Sequence, residues 1–313
     1  MLDEYKSHRQ KQDVFSTYTC VNTISEFEEW YASHLNLSSK IYYRGVKEAK
    51  YKNYTSAQRY CICNNKEDLP ATEVYRKIQT LRRANNNLIE KYCASMGFEC
   101  TDLMLMSIAQ HYQTGFSLFL DFSLDINTAL FFMCEEVAHA DTIDNSIRNY
   151  ASLYYSPQIG VSFDDIANHI SVKTSFSEQN KTNSIFQESS KYALKTLLSL
   201  STFNLLFGNK SIMIENKAYS FKFAHQEFEY STNVIISNYN IVAQDGCLLF
   251  YDNNYRPLED NLSCVDIHKS LIPYITRCYL KPNNKDYKCL FPEIKTVVSD
   301  AFLGVKDATY KII

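Results

Sequence analysis

The chain is poor in glycine, with seven in 313 residues, and none of them falls into a G-x-G-x-x-G or P-loop run. That removes the Rossmann and Walker modes of holding a nucleotide phosphate. No apolar stretch approaches the roughly 18 residues needed to span a bilayer. The opening MLDEYKSHRQKQDVF is polar and charged, so the apolar core of a signal peptide is not expected there. Charge of one sign is also lacking. A net charge of -3 gives no broad surface for nucleic acid or membrane, although a local basic groove is compatible with it. The seven histidines show no H-E-x-x-H spacing. Cys61 and Cys63 stand too close for a C-x-x-C pair, and Cys93 and Cys100 have no partners at zinc-ribbon spacing. No metal site is expected from these spacings. Ten cysteines without an export signal are read as reduced thiols in a cytoplasmic protein.

What is present centres on Ser107 to Phe132, SIAQHYQTGFSLFLDFSLDINTALFF. It reads as a helix end, a polar turn, a buried strand and a second helix. Asp121 sits inside the apolar run Leu118-Phe119-Leu120-Asp121-Phe122. A carboxylate there must find hydrogen-bond partners or shift its pKa. It either caps the following helix or serves a site. Gln110, His111 and Tyr112 stand together just before the turn. In the second helix Ile126, Ala129, Leu130, Met133, Cys134 and Val137 make one stripe, with Ser123 or Asp125 as cap. Phe131 and Phe132 flank that stripe. They are either buried or turned to a cleft, where one ring would stack on a planar ligand.

Residues 1–24 read as a polar lead-in. Ser25-Glu26-Phe27-Glu28 reads as a capping box opening a helix to His34. Ser39 to Arg44 reads as a strand ending on Arg44-Gly45, where a guanidinium at a sheet edge suits phosphate or carboxylate, or else a surface ion pair. Pro70 to Cys93 reads as a long helix that Asn85-Asn86-Asn87 weakens. Lys173 to Ser184 is the best candidate for a mobile loop. From Ser211 strands dominate: Ser211–Ile214, Ala218–Phe223, Asn233–Ile236, Ile241–Tyr251 and Ile272–Leu280. Helices with one strand first, then mostly strands, give an α+β class. Residues 25–313 form one domain with an insertion at about 156–210.

Six stretches occur in order: Tyr42-Tyr43-Arg44-Gly45, Arg59 after a polar turn, Ala109-Gln110-His111-Tyr112, Leu120-Asp121-Phe122-Ser123, Ala129-Leu130-Phe131-Phe132 and Gln244-Asp245-Gly246. Together they resemble the FRG domain, from about Ser25 to Tyr251. Three positions depart from that family's pattern. Leu118 stands near the place of an arginine before the L-L-D motif, Asn240 stands for an arginine upstream of A-Q-x-G, and Met133 for an alanine. The Y-R-G strand is in turn similar to the first motif of arginine-type ADP-ribosyltransferases.

That resemblance implies an ADP-ribosyltransferase-like fold, with a mixed or antiparallel sheet core, a helical N-terminal part and a helical insertion. It implies NAD as substrate and no metal. Arg44 would hold the pyrophosphate or ribose, and Gly45 would let the backbone approach the nicotinamide amide. Phe131 or Phe132 would stack on the ring. Asp121, His111 and Gln244 would be the catalytic groups, with Glu227 and Glu229 in reserve as the acidic residue. The implied role is a bacterial toxin or anti-phage effector acting on a macromolecular target, or with a partner protein, away from membranes. The alternative is a non-catalytic nucleotide-sensing module on the same fold. A metal nuclease is disfavoured by the net charge and the lack of clustered carboxylates.

Overall fold

A computed structural model describes residues 2–35, 39–112, 116–137, 144–169, 172–173, 192, 194–207, 210–225, 228–236 and 239–291. The chain opens with α1 (His8–Val14), β1 (Tyr18–Val21) and α2 (Ile24–Leu35). After β2 (Tyr42–Val46) come α3 (Ser56–Cys63), α4 (Pro70–Arg83), α5 (Leu88–Ser95) and α6 (Asp102–Tyr112). Then follow β3 (Phe119–Ser123), α7 (Ile126–Cys134), β4 (Tyr150–Ser156), β5 (Val161–Ser162), α8 (Phe163–His169) and β6 (Val172–Lys173). The last strands are β7 (Ser211–Glu215), β8 (Ala218–His225), β9 (Phe228–Ile235), β10 (Gly246–Tyr251) and β11 (Ser263–His268).

The class is mixed α+β. One eight-stranded sheet runs β1-β11-β4-β2-β3-β10-β7-β5, and a three-stranded sheet runs β6-β8-β9. The large sheet is antiparallel except at its two edges, where β1 pairs β11 and β5 pairs β7 in parallel. Its middle is a seam. β2 pairs β4 over five residues, but it shares only the Tyr43–Ser123 pair with β3.

Strand alternation sorts the core. Tyr43, Leu153, Val265, Phe119 and Phe250 point to the face covered by helices. Tyr154, Leu120, Phe122, Leu249 and Cys264 point to the other, covered by Tyr5, Phe15 and the chain around Leu258–Leu262. α7 lies on the helical face directly over β2. A Cβ on Gly45 would stand 1.9 Å from the Ala129 carbonyl oxygen and 2.7 Å from the Met133 amide nitrogen.

Several expectations are corrected. Residues 1–24 are no mere lead-in. They supply α1 and the edge strand β1, with Lys11 completely buried. Thr23, not Ser25, caps α2: its hydroxyl accepts from the Glu26 N–H while Glu26 accepts from the Asn22 and Thr23 N–H groups. The asparagine run does break the long helix. Asn86 and Asn87 take left-handed φ values of 57° and 60° between α4 and α5, as short polar side chains can. Ile241–Tyr251 divides into a helical turn, Tyr239–Ala243, and β10, with Gln244-Asp245 as the turn between them.

Ile272–Leu280 is helical, α over Ile272–Ile275 and π over Thr276–Leu280. Pro273 sits in its first turn, where a missing N–H costs nothing, and Ile272, Ile275 and Leu280 are its buried residues rather than every second one. The region read as an insertion contributes β5 and α8, and β5 adds to the large sheet. The expected mobile loop lies outside the described residues apart from Lys173 in β6.

Candidate functional site

The seam between β2 and β3 collects the polar residues singled out in the sequence. Had the two strands gone on pairing, the Asp121 carbonyl would have met the β2 backbone. Instead the Arg44 side chain donates to it from Nη1 at 2.8 Å. Arg44 Nε donates to Asn53 Oδ1 at 3.3 Å, and Asn53 is itself buried. Among the described residues these contacts take two of the five N–H donors of the guanidinium. Burial pushes the Arg44 pKa below its ordinary value, against the attraction of Asp121 and then Tyr154.

Arg59 comes to the same place from α3. A reciprocal capping box fixes the start of that helix: Thr55 Oγ1 accepts from the Gln58 N–H at 3.2 Å, and Gln58 Oε1 accepts from the Thr55 N–H at 2.8 Å. Arg59 is exposed to solvent, while the protein around it desolvates its guanidinium. That desolvation first, then the neighbouring Arg44, pushes its pKa down to about 10, with Asp121 pulling the other way. It stays cationic at neutral pH. Two guanidiniums therefore lie within electrostatic reach of one carboxylate, leaving the seam with an excess of positive charge.

Asp121 is half-buried on β3. It does not cap α7. Asp125 does, accepting from the Asn127 N–H at 3.0 Å and the Thr128 N–H at 3.2 Å. The Asp121 carboxylate instead accepts from Gln110 Nε2 at 2.7 Å. The Gln110 amide is oriented by Ser117, whose Oγ donates to Gln110 Oε1 at 2.6 Å. Ser117 is set in turn by Ser56, whose Oγ accepts from the Ser117 N–H at 2.8 Å. So α3, α6 and β3 hold one carboxylate through a chain of neutral groups.

The remaining candidates are distributed as follows. His111 stands in the last turn of α6 next to Gln110, and its side chain lies outside the described residues. Gly45 serves a close approach, but to α7 rather than to a ligand. Phe131 packs against the helical-face cluster, and Phe132 meets Phe291 edge-on at 5.9 Å. Arg44 leaves β2 on the face opposite to α7 by strand alternation, so the described ring contacts do not place the phenylalanines beside it. Gln244 precedes β10 instead of lying in a strand, and its Nε2 donates to the Leu290 carbonyl at 3.0 Å. Glu229 lies on β9 of the smaller sheet, and Glu227 lies outside the described residues. Sequence reasoning left Asn53 and Ser117 out altogether. A buried Asn close behind a Y-R-G strand is the signal that would have found the first.

Two depressions lie elsewhere. One of about 230 Å³ is lined by Leu124, Asp125, Glu215, Asn216, Asp245 and Gly246. Another of about 240 Å³ runs along Tyr42 and Pro157–Ser162. The chemistry at the seam rests on converging side chains, not on either hollow. Among the described residues no helix is long and apolar enough to cross a membrane.

The architecture is a mixed α+β protein whose main sheet is parted at a seam holding two arginines and an amide-held carboxylate. Residues 39–142, from the approach to β2 through β3 and α7, match the FRG domain model, and this stretch of the chain carries that domain. No curated protein and no solved structure matches the chain.

Proposed function

We propose that this chain is an ADP-ribosyltransferase-like protein whose seam between β2 and β3 takes NAD. The observation that carries the reading is the meeting of Arg44, Arg59 and Asp121 where the sheet parts. A pyrophosphate suits two guanidiniums, which pair with its oxygens in planar, multidentate fashion. A carboxylate beside them suits the ribose, because loss of nicotinamide leaves positive charge on the sugar. Carboxylates stabilise the same kind of oxocarbenium-like state in glycoside hydrolysis.

In this reading the bond between ribose C1′ and the nicotinamide nitrogen breaks, and its electron pair leaves with nicotinamide. Asp121, oriented by Gln110, stabilises the cation. A nucleophilic atom of the macromolecular target forms the new bond at C1′, and His111 takes its proton. A bacterial toxin or anti-phage effector would use such chemistry on a host or phage macromolecule.

One observation favours the non-catalytic alternative. The Gln244 amide is engaged by Leu290, so it does not stand free to take the place of the transferase glutamate, and Glu229 belongs to the other sheet. A nucleotide-sensing module would need only the arginines.

Calorimetry with NAD and ADP-ribose tests binding. Heat is expected with the wild-type chain, and its loss with Arg44→Ala in a variant of unchanged circular dichroism. No heat at millimolar ligand with folded protein would remove both readings. Incubation with adenine-labelled NAD and cell lysate then separates them, since label transfer marks a transferase, and binding without transfer marks a sensor.

A further inference from the structure

We propose that His8, Tyr18, Cys20 and Asp266 form a binding site for a zinc-class divalent metal ion at the β1 edge of the large sheet, three strands away from the Arg44 seam. The parallel register sets Cys20 opposite Asp266. Tyr18, two residues before Cys20, faces the same way, and α1 lays His8 over them.

The donor atoms converge. His8 Nδ1 lies 3.1 Å from Asp266 Oδ2 and 3.4 Å from Cys20 Sγ. The Tyr18 hydroxyl lies 2.5 Å from His8 Nδ1, 3.0 Å from Cys20 Sγ and 2.6 Å from Asp266 Oδ2. For a tetrahedral zinc with bonds of roughly 2.0–2.3 Å, ligand atoms stand roughly 3.3–3.8 Å apart. The His8–Asp266 and His8–Cys20 spacings nearly meet that requirement, and the phenol of Tyr18, which now sits over the three donors, completes the set by moving outward by roughly an ångström on an edge strand. One nitrogen, one sulfur and two oxygens suit zinc and its neighbours rather than magnesium or calcium.

The surroundings are arranged as a metal ligand needs. The other oxygen of Asp266 is held by Lys11 Nζ at 2.6 Å and Ser152 Oγ at 2.6 Å, which fixes the carboxylate and leaves Oδ2 toward the other donors. An ion can enter, because the His8 side chain keeps 18% exposure and Cys20 is only half-buried. Binding releases the Cys20 thiol proton and the His8 Nδ1 proton to solvent and forms the metal–thiolate and metal–imidazole bonds. Four protein donors leave no open position for a substrate, so the site is structural and ties α1 and β1 to β11. The ligand spacing 8, 20, 266 matches no local motif, which is why the sequence pointed away from a metal.

The test uses the full chain, stripped with a chelator and titrated with Co(II). One equivalent is expected to give thiolate-to-cobalt charge-transfer absorption, which Zn(II) abolishes, and Zn(II) is expected to raise Tm. Cys20→Ser should lose the band. A variant with the exposed Cys63, Cys278 and Cys289 changed to Ser should keep it. Should Cys20→Ser fail to fold, alkylation of the wild-type chain followed by mass spectrometry gives the same answer, with Zn(II) slowing modification of Cys20 at least tenfold. No band and no Zn(II) effect on Tm, a band that survives Cys20→Ser, or equal alkylation with and without Zn(II) would leave the cluster a hydrogen-bond hub only and overturn the proposal.

Discussion

At the residue scale, the Y-R-G strand does two jobs on two faces. Gly45 admits α7, and Arg44 bridges the seam. Gly45→Ala has backbone, not a yielding side chain, in its way at 1.9 Å. Overpacking of this kind costs about 1–3 kcal/mol or more, so thermal unfolding should show a markedly lower Tm. An unchanged Tm would mean that α7 can lift off β2 freely. Arg44→Lys should bind NAD poorly, since an ammonium cannot present a planar fork. It should also lose about 1 kcal/mol of stability, because one of the two contacts to Asn53 and the Asp121 carbonyl goes. Paired calorimetry and urea denaturation read the two losses separately. The sequence made Arg44 and Asp121 legible because each broke its local pattern. The same signal in Cys264-Val265-Asp266-Ile267, a carboxylate inside an apolar run, went unread, because the side chains that hold it are not beside it in the chain. Its partners, Lys11 and His8, are over 250 residues away.

At the element scale, the α7 cap answers a question the sequence left open between Ser123, Asp125 and Asp121. Asp125 takes the backbone N–H groups and also pairs with Lys285 at 2.6 Å. Burial alone would raise its pKa, but the Lys285 contact and the Asn127 N–H outweigh this and hold it below its ordinary 3.8. A depressed folded pKa stabilises above the unfolded value, and that increment is lost as pH falls through the folded one. Acid should therefore erode wild-type stability below pH 3.8 in part through Asp125. Asp125→Asn keeps a capping oxygen, so it should be only slightly weaker at pH 7 and show a shallower acid slope. Asp125→Ala should cost about 1 kcal/mol at pH 7. Urea midpoints across pH for the three chains check this, and equal acid slopes would disconnect Asp125 from the effect. Elements with a strong local code were legible: the amphipathic α4, its asparagine break, and α7. Ile272–Leu280 was not, because a short apolar run fits strand and buried helix alike. The smaller sheet was read as strands, but nothing local assigns its strands to a sheet of their own.

At the scale of the whole molecule, the large sheet is two four-stranded halves joined by a single registered pair and an arginine. One half depends on residues that looked dispensable. β1 covers the β11 edge, and Lys11, wholly buried, meets Asp266, also wholly buried, at 2.6 Å. Lys11 also lies 5.3 Å from the Tyr5 ring centroid and 5.1 Å from that of Tyr154, which is paired in register with Arg44. Removing one partner of a buried ion pair strands the other and costs about 3–5 kcal/mol, while removing both is far milder. Lys11→Met should therefore lower the urea midpoint strongly, and Lys11→Met combined with Asp266→Asn should recover much of the loss. A chain beginning at residue 25 loses the cation and also bares the β11 edge, an open template for association. It should fail to give folded monomer by circular dichroism and size-exclusion chromatography. If that shortened chain folded as well as the full one, α1 and β1 would be an appendage, and the coupling from Lys11 through Tyr154 to the seam would carry no stability.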